Sequence, residues 1–199
     1  MHHAVKIVRQ IGNWEPITKL SEYEIADGNV QSLIEDGHVG CNLDEYAKEF
    51  EKEHDVSRPS SVDGLFALGN GDLAFVEFKD DKVLEYVSPQ VKFVHDKNRC
   101  YESWIQKKLY DSFIMLCVDN VVKFRDGKMN HVAYIVIAAK KNGMKVSGIS
   151  ARMRQARANE IEIFKGLNKY LFRNIMLITP ENFQQCIITR IDPESQQMQ

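Results

Sequence analysis

Two apolar runs stand out near the middle of the chain, Gly64-Leu-Phe-Ala-Leu68 and Leu73-Ala-Phe-Val-Glu-Phe-Lys79, separated by Gly69-Asn70-Gly71-Asp72. They read as two strands of a tight hairpin. Side chains in a strand alternate with period two. Phe66, Leu68, Ala74, Val76 and Phe78 therefore share one side, and Leu65, Ala67, Leu73 and Phe75 the other. Both faces are apolar, as in a sheet covered by helices on both sides. A three-residue loop, Gly69-Asn70-Gly71, with Gly71 as the left-handed residue of a bulge, pairs Leu68 with Asp72 and Asp63 with Glu77. A symmetric four-residue loop would pair Asp63 with Phe78 instead, and a one-residue slip moves a side chain to the opposite face. The glycine placement favours the first register, which puts Asp63, Glu77 and Lys79 together on one face.

The rest of the chain punctuates less sharply. Residues 4–9 read as a short strand, and 21–34 as helix-like patches broken by Gly28. Residues 43–54 are helical, with Asn42 as N-cap and Tyr46, Ala47 and Phe50 as an apolar stripe. Arg58-Pro59-Ser60-Ser61 ends that helix and leads into the hairpin. Residues 82–94 alternate like a strand but contain Pro89, as an edge strand or loop does. The clearest helix spans 100–118, its core stripe formed by Tyr101, Ile105, Leu109, Ser112 and Leu116. Gln106 and Lys108 flank that stripe on opposite sides, and Lys107 points away. Residues 132–138 form a buried strand, 150–172 a second long helix, 175–178 a short strand and 192–199 a polar, mobile tail. This order predicts an α/β fold with a mixed central sheet flanked by helices on both faces.

Composition sets the frame. At 199 residues, 44% hydrophobic and 27% charged, the chain suits one globular domain over residues 1–199. Its core lies at about 43–138, with a helix-and-strand extension at about 145–190. No apolar run has the length of a membrane span, and the start lacks the apolar core of a secretory signal. His2 and His3 carry no assigned role. Cys41, Cys100, Cys117 and Cys186 show no paired spacing, which favours reduced thiols in a cytoplasmic protein over a zinc or disulfide framework.

The formal net charge of -2 argues against broad non-specific nucleic-acid binding. One local excess exists: Lys140, Lys141, Lys145, Arg152, Arg154 and Arg157 fall within eighteen residues with no acid among them. This run is either a solvated surface or a contact for a phosphate backbone.

The charged end of the hairpin carries the candidate chemistry. A hard cation such as Mg²⁺ takes oxygen ligands, commonly one or two carboxylates plus water and substrate phosphate oxygens. Asp63, Glu77 and the backbone carbonyl of Phe78 supply that donor set, for Mg²⁺ or Mn²⁺. The metal would polarise a phosphate and lower the pKa of a bound water. Lys79 would orient or deprotonate that water, or stabilise charge developing on the phosphate.

The arrangement Asp63, thirteen residues, Glu77-Phe78-Lys79 resembles the PD-(D/E)xK nuclease superfamily. The resemblance covers about residues 43–138 and implies a restriction-endonuclease-like core. It further implies that the Asp and Glu hold catalytic Mg²⁺ while the Lys assists hydrolysis of a phosphodiester. A following helix in that superfamily often adds a polar residue. Gln106 with Tyr110 has the Gln-x-x-x-Tyr spacing of the exonuclease-like branch, and Lys108 is the alternative carrier. A preceding helix often adds an acid, here Glu45 or Glu49. The chain departs from the pattern in two places. No proline directly precedes Asp63, and about eight residues separate the 43–54 helix from it, too few for the usual extra strand. That strand must come from elsewhere, from 82–87 or from the N-terminus.

The resulting expectation is a Mg²⁺-dependent nuclease, with DNA ahead of RNA as substrate and with dimerisation open. The alternatives are a catalytically silent module of the same fold that binds nucleic acid or a protein partner, and a small α/β domain in which Asp63, Glu77 and Lys79 form a structural ion pair.

Overall fold

The computed structural model describes residues 2–24, 28–79, 84–87, 90–93, 95–96, 99–123, 131–137 and 171–197. The 150–170 segment and the basic residues Lys140, Lys141, Lys145, Arg152, Arg154 and Arg157 lie outside them. Six strands form a mixed sheet: β1 (Trp14–Pro16), β4 (Val39–Asn42), β5 (Gly64–Ala67), β6 (Leu73–Lys79), β11 (His131–Ile137) and β12 (Asn174–Ile178), in that spatial order. The β1–β4, β4–β5 and β5–β6 pairs are antiparallel, whereas β6–β11 and β11–β12 are parallel. Three antiparallel two-stranded pairs accompany it: β2 (Glu22–Glu24) with β3 (Val30–Ser32), β7 (Leu84–Val87) with β8 (Gln90–Phe93), and β9 (His95–Asp96) with β10 (Arg99–Cys100).

The hairpin register is the one expected from its glycines. Gly64 lies opposite Val76 and Ala67 opposite Leu73, so the next pair outward is Asp63 with Glu77. Leu68 N–H donates to Asp72 O at 2.9 Å, and Gly71 N–H to Leu68 O at 2.8 Å. Gly71 takes φ +85°, a conformation disfavoured for residues with a Cβ. Buried Asp72 is held by Arg173 and by the Asn70 side chain, which fastens the turn to the start of β12.

Helices cover both faces of this ribbon. Leu65, Ala67, Leu73 and Phe75 pack with α1 (His3–Ile11) and with Ile105, Leu109, Phe113 and Leu116 of α4 (Tyr101–Val118). Phe66, Leu68, Ala74, Val76 and Phe78 pack against Ile17 and Leu20 of α2 (Ile17–Leu20) and Phe183 of α5 (Pro180–Cys186). Helix α3 (Leu43–His54) begins at Asn42, whose side chain accepts from Asp44 and Glu45 N–H, and ends at Asp55 in the left-handed region. Both ends of this helix are tied to the end of α4, because Asp119 accepts from the Tyr46 hydroxyl and pairs with His54. No helix among the described residues is long and apolar enough to cross a membrane.

Four expectations are corrected. Residues 4–9 belong to helix α1, because Ala4, Val5, Ile7, Val8 and Ile11 recur at helical spacing and are all buried against the sheet. Within 21–34 the chain forms the β2–β3 pair rather than helix. The additional sheet strand is β4, placed before α3, while 84–87 pairs with β8 outside the main sheet. Of the 192–199 segment, the described residues 192–197 are anchored: Asp192 is buried, and the Gln196 amide both accepts from Val39 N–H at 2.7 Å and donates to Val39 O at 3.0 Å.

One close approach in β4 gives a direct test of this packing. A Cβ on Gly40 would lie 2.3 Å from Cε1 of Phe66, a ring fully enclosed in the core. Gly40→Ala is expected to cost about 1–3 kcal/mol in urea unfolding, as overpacking does. The additional change Phe66→Leu should recover part of that loss if the ring is the obstacle.

Candidate active site

Glu77 is on β6, which has β5 on one side and β11 on the other, and its side chain has no solvent exposure. A carboxylate there needs partners, because an isolated buried charge is costly. Two lysines supply them. Lys108 Nζ, projecting from α4, donates to Glu77 Oε1 at 2.8 Å and Oε2 at 2.9 Å and lies 3.3 Å from Asp63 Oδ1. Lys79 Nζ lies 2.5 Å from Glu77 Oε1 and donates to its neighbour's carbonyl, Phe78 O, at 3.0 Å. The second oxygen of Asp63, Oδ2, accepts the Phe78 N–H at 2.6 Å. That bond fixes the carboxylate across the strand pair from Glu77.

Burial pushes the Glu77 carboxyl above its usual range, and the Asp63 charge pushes it the same way, while Lys79 and Lys108 pull it back. For Lys108, burial works against the ammonium, but the Asp63 and Glu77 charges outweigh it and raise its pKa. The indole of Trp104, one turn earlier on α4, closes the cluster. Both ammoniums stand 4.7 Å from its ring centroid, and the residue is 39% exposed.

The loop before Asp63 is fastened to the same helix. Val62 N–H donates to Ser112 Oγ at 2.9 Å and Ser60 N–H to Asp111 Oδ2 at 3.0 Å. Lys107 bridges Ser60 Oγ and Asp111. One face of α4 therefore places Lys108 and also holds the chain that delivers Asp63.

The structure brings Asp63, Glu77, Lys79 and Lys108 together, along with the Phe78 carbonyl. Gln106 is half-buried, and Lys108 reaches both carboxylates with its ammonium. Neither Glu45 nor Glu49 joins the cluster: Glu45 pairs with Lys48, and Glu49 accepts from Asn13. The acid of α3 that turns this way is Asp44, which accepts from Ser61 and whose charge adds to the raised pKa of Lys108. The apolar stripe of 43–54 does not mark Asp44; its position two residues after the N-cap is the signal the chain offers. Trp104 lies off the apolar stripe too, and its signal is its place four residues before Lys108, on the same helix face.

No protein-family model, curated protein or solved structure matches this chain.

The donors Asp63, Glu77 and Phe78 O are all hard oxygens, the kind a cation such as Mg²⁺ takes alongside water and substrate, and each now meets an ammonium. It contains only two carboxylates. Among the described residues, no group of three or more His, Cys, Asp or Glu side chains could hold a metal. Mg²⁺ needs no such all-protein cage.

Removing Lys108 leaves buried Glu77 short of a counter-charge. Lys108→Met should lower stability by about 3–5 kcal/mol in urea unfolding. The pH dependence follows from the same pairing. The folded protein holds the Lys108 proton more tightly than the unfolded chain does, so this stabilisation is complete below the usual lysine value of 10.5 and is lost as pH rises through the higher folded value. Between about pH 10 and 12, wild-type stability should fall more steeply than that of Lys108→Met. Parallel slopes would contradict the pairing.

Proposed function

We propose that this chain is a Mg²⁺-dependent nuclease, built on a restriction-endonuclease-like core, that hydrolyses phosphodiester bonds with DNA ahead of RNA as substrate. The observation that carries this reading is the convergence of Asp63, Glu77, Lys79 and the Phe78 carbonyl at the end of one hairpin, in the register set by Gly71. Asp63, Glu77 and Phe78 O would hold the metal, with Mn²⁺ as an alternative. When bound, the metal polarises the phosphate and lowers the pKa of a bound water.

The chain's own groups do the remaining work. Phe78 N–H orients Asp63 across the strand pair, so the two carboxylates keep their spacing without help from substrate. Lys79 sits beside Glu77 on a partly exposed ammonium, positioned to stabilise negative charge growing on phosphate oxygens. Trp104 shields the cluster on the side where both ammoniums meet its ring, which strengthens their electrostatic effect. The basic run from Lys140 to Arg157 supplies a stretch of sequence suited to contacting the nucleic-acid backbone. Reduced Cys41, Cys117 and Cys186 accord with action in the cytoplasm.

A second reading has its own observation. Asp63 and Glu77 are balanced charge for charge by Lys79 and Lys108, so these four groups sum to zero. This favours a silent module of the same fold that binds nucleic acid or a protein without cutting.

Cleavage of a supercoiled plasmid and of a single-stranded oligonucleotide, with Mg²⁺ and with EDTA, separates the two. Metal-dependent cutting is expected, and Asp63→Asn and Lys79→Ala proteins that keep the wild-type circular dichroism should lose it by at least about a hundredfold. The carboxamide that Asp63→Asn introduces would still accept the Phe78 N–H, so the loss of activity in that variant would report the missing charge. Binding without turnover in wild type would select the silent module.

A further inference from the structure

We propose that Lys108 is an internal counter-cation which a divalent metal must displace, so that metal and anionic substrate load this site together. The proposal rests on the nuclease reading for the identity of the site and concerns how that site is filled.

Every carboxylate oxygen of the pair already has a partner. Lys108 takes both oxygens of Glu77 and lies against Asp63 Oδ1, while Asp63 Oδ2 is held by Phe78 N–H. Lys79 shares Glu77 Oε1. A metal ion entering between Asp63 and Glu77 therefore exchanges with an ammonium. Of the two lysines, Lys108 bridges both carboxylates, whereas Lys79 lies against Glu77, the Phe78 carbonyl and the Trp104 ring. Lys108 also has somewhere to go. Its stem is long and unbranched, and the half-exposed Trp104 ring, 4.7 Å from its ammonium, offers a cation–π surface towards solvent.

Charge balance then couples two ligands. Two carboxylates and two ammoniums sum to zero, so the cluster without metal has little net attraction for a phosphodiester. Exchange of Lys108 for a divalent ion, with the freed ammonium kept nearby on Trp104, leaves the same groups with a surplus of two positive charges. That surplus matches a phosphodiester and an attacking hydroxide. By reciprocity, an anion that improves metal binding is itself bound better once the metal is present.

The test is a Mn²⁺ titration of the full chain, followed by calorimetry and by the electron paramagnetic resonance signal of free Mn²⁺. Lys108→Met removes the competitor and should bind Mn²⁺ at least about tenfold more tightly than wild type. Lys108→Arg puts a bidentate guanidinium on the same carboxylates and should bind it about tenfold more weakly. If Lys108→Met does not fold, Lys108→Arg decides alone. In a Trp14→Phe background, where Trp104 is the remaining indole, its emission should change with Mn²⁺ occupancy. A short phosphorothioate-linked oligodeoxynucleotide should tighten Mn²⁺ binding to wild type several-fold. Equal Mn²⁺ affinity in wild type and Lys108→Arg would overturn the proposal, as would absence of Mn²⁺ binding to every folded variant. The expected affinity shifts without cleavage by wild type would leave the proposal standing and remove the nuclease reading. Cleavage without the shifts would do the reverse.

Discussion

A carboxylate out of water in the middle of a sheet is the constraint around which this molecule is organised. Glu77 is on β6 between β5 and β11, and its charge is worth several kcal/mol of desolvation unless cations meet it at short range. Lys79 is two residues along the same strand and comes with the pleat. Lys108 comes from α4, so the helix must lie at one height and one rotation over the sheet for the ammonium to reach both carboxylates. The apolar stripe of Ile105, Leu109 and Phe113 would tolerate some sliding. The ion cluster tolerates far less.

That requirement explains why polar residues interrupt the α4 face that meets the sheet. Ser112 is fully buried, yet its hydroxyl accepts the Val62 N–H, and Asp111 takes the Ser60 N–H with Lys107 beside it. Each bond fastens the entry to β5 onto the helix that already carries Lys108. The backbone around Asp63 is held by Leu43 N–H as well, which donates to its carbonyl at the start of α3. Two helices and a strand end are thus referred to one point. The pKa changes there are a consequence of this convergence and not of any single residue.

How much of this is legible in the chain depends on range. The turn Gly69-Asn70-Gly71 acts over a few residues, and its glycines suffice to set the register and the shared face of Asp63, Glu77 and Lys79. Helix α3 is equally local, since Asn42 caps it and the apolar stripe defines its length. Helix α1 is less so. Val5, Ile7 and Val8 are β-branched and alternate with polar residues for a few positions, so burial of Ala4, Val5, Ile7, Val8 and Ile11 on one side selects helix only once the sheet is present. The four residues of β4 carry almost no periodic signal, and their pairing with β1 and β5 is tertiary information. At the site, the stripe placed Gln106 and Lys108 on opposite flanks without saying which flank faces the carboxylates. Asp44 reaches the site through Ser61, a contact between segments that periodicity does not report.

The Gln196 side chain, which fills both hydrogen-bonding positions of Val39 from 157 residues away, carries a consequence for synthesis. Strand β4 leaves the ribosome long before Gln196 does, so its Val39 amide and carbonyl wait for a partner made 157 residues later. Ile191 and Asp192 reach back to Leu68 and Ala67 in the same way. Loop closure over such a distance comes late and is entropically unfavourable until much of the intervening chain has condensed. The hairpin and α4 can gather their charges while translation continues. Closure of the β4 flank waits until residues 191–196 have been made, and before that the strand has its pairings with β1 and β5.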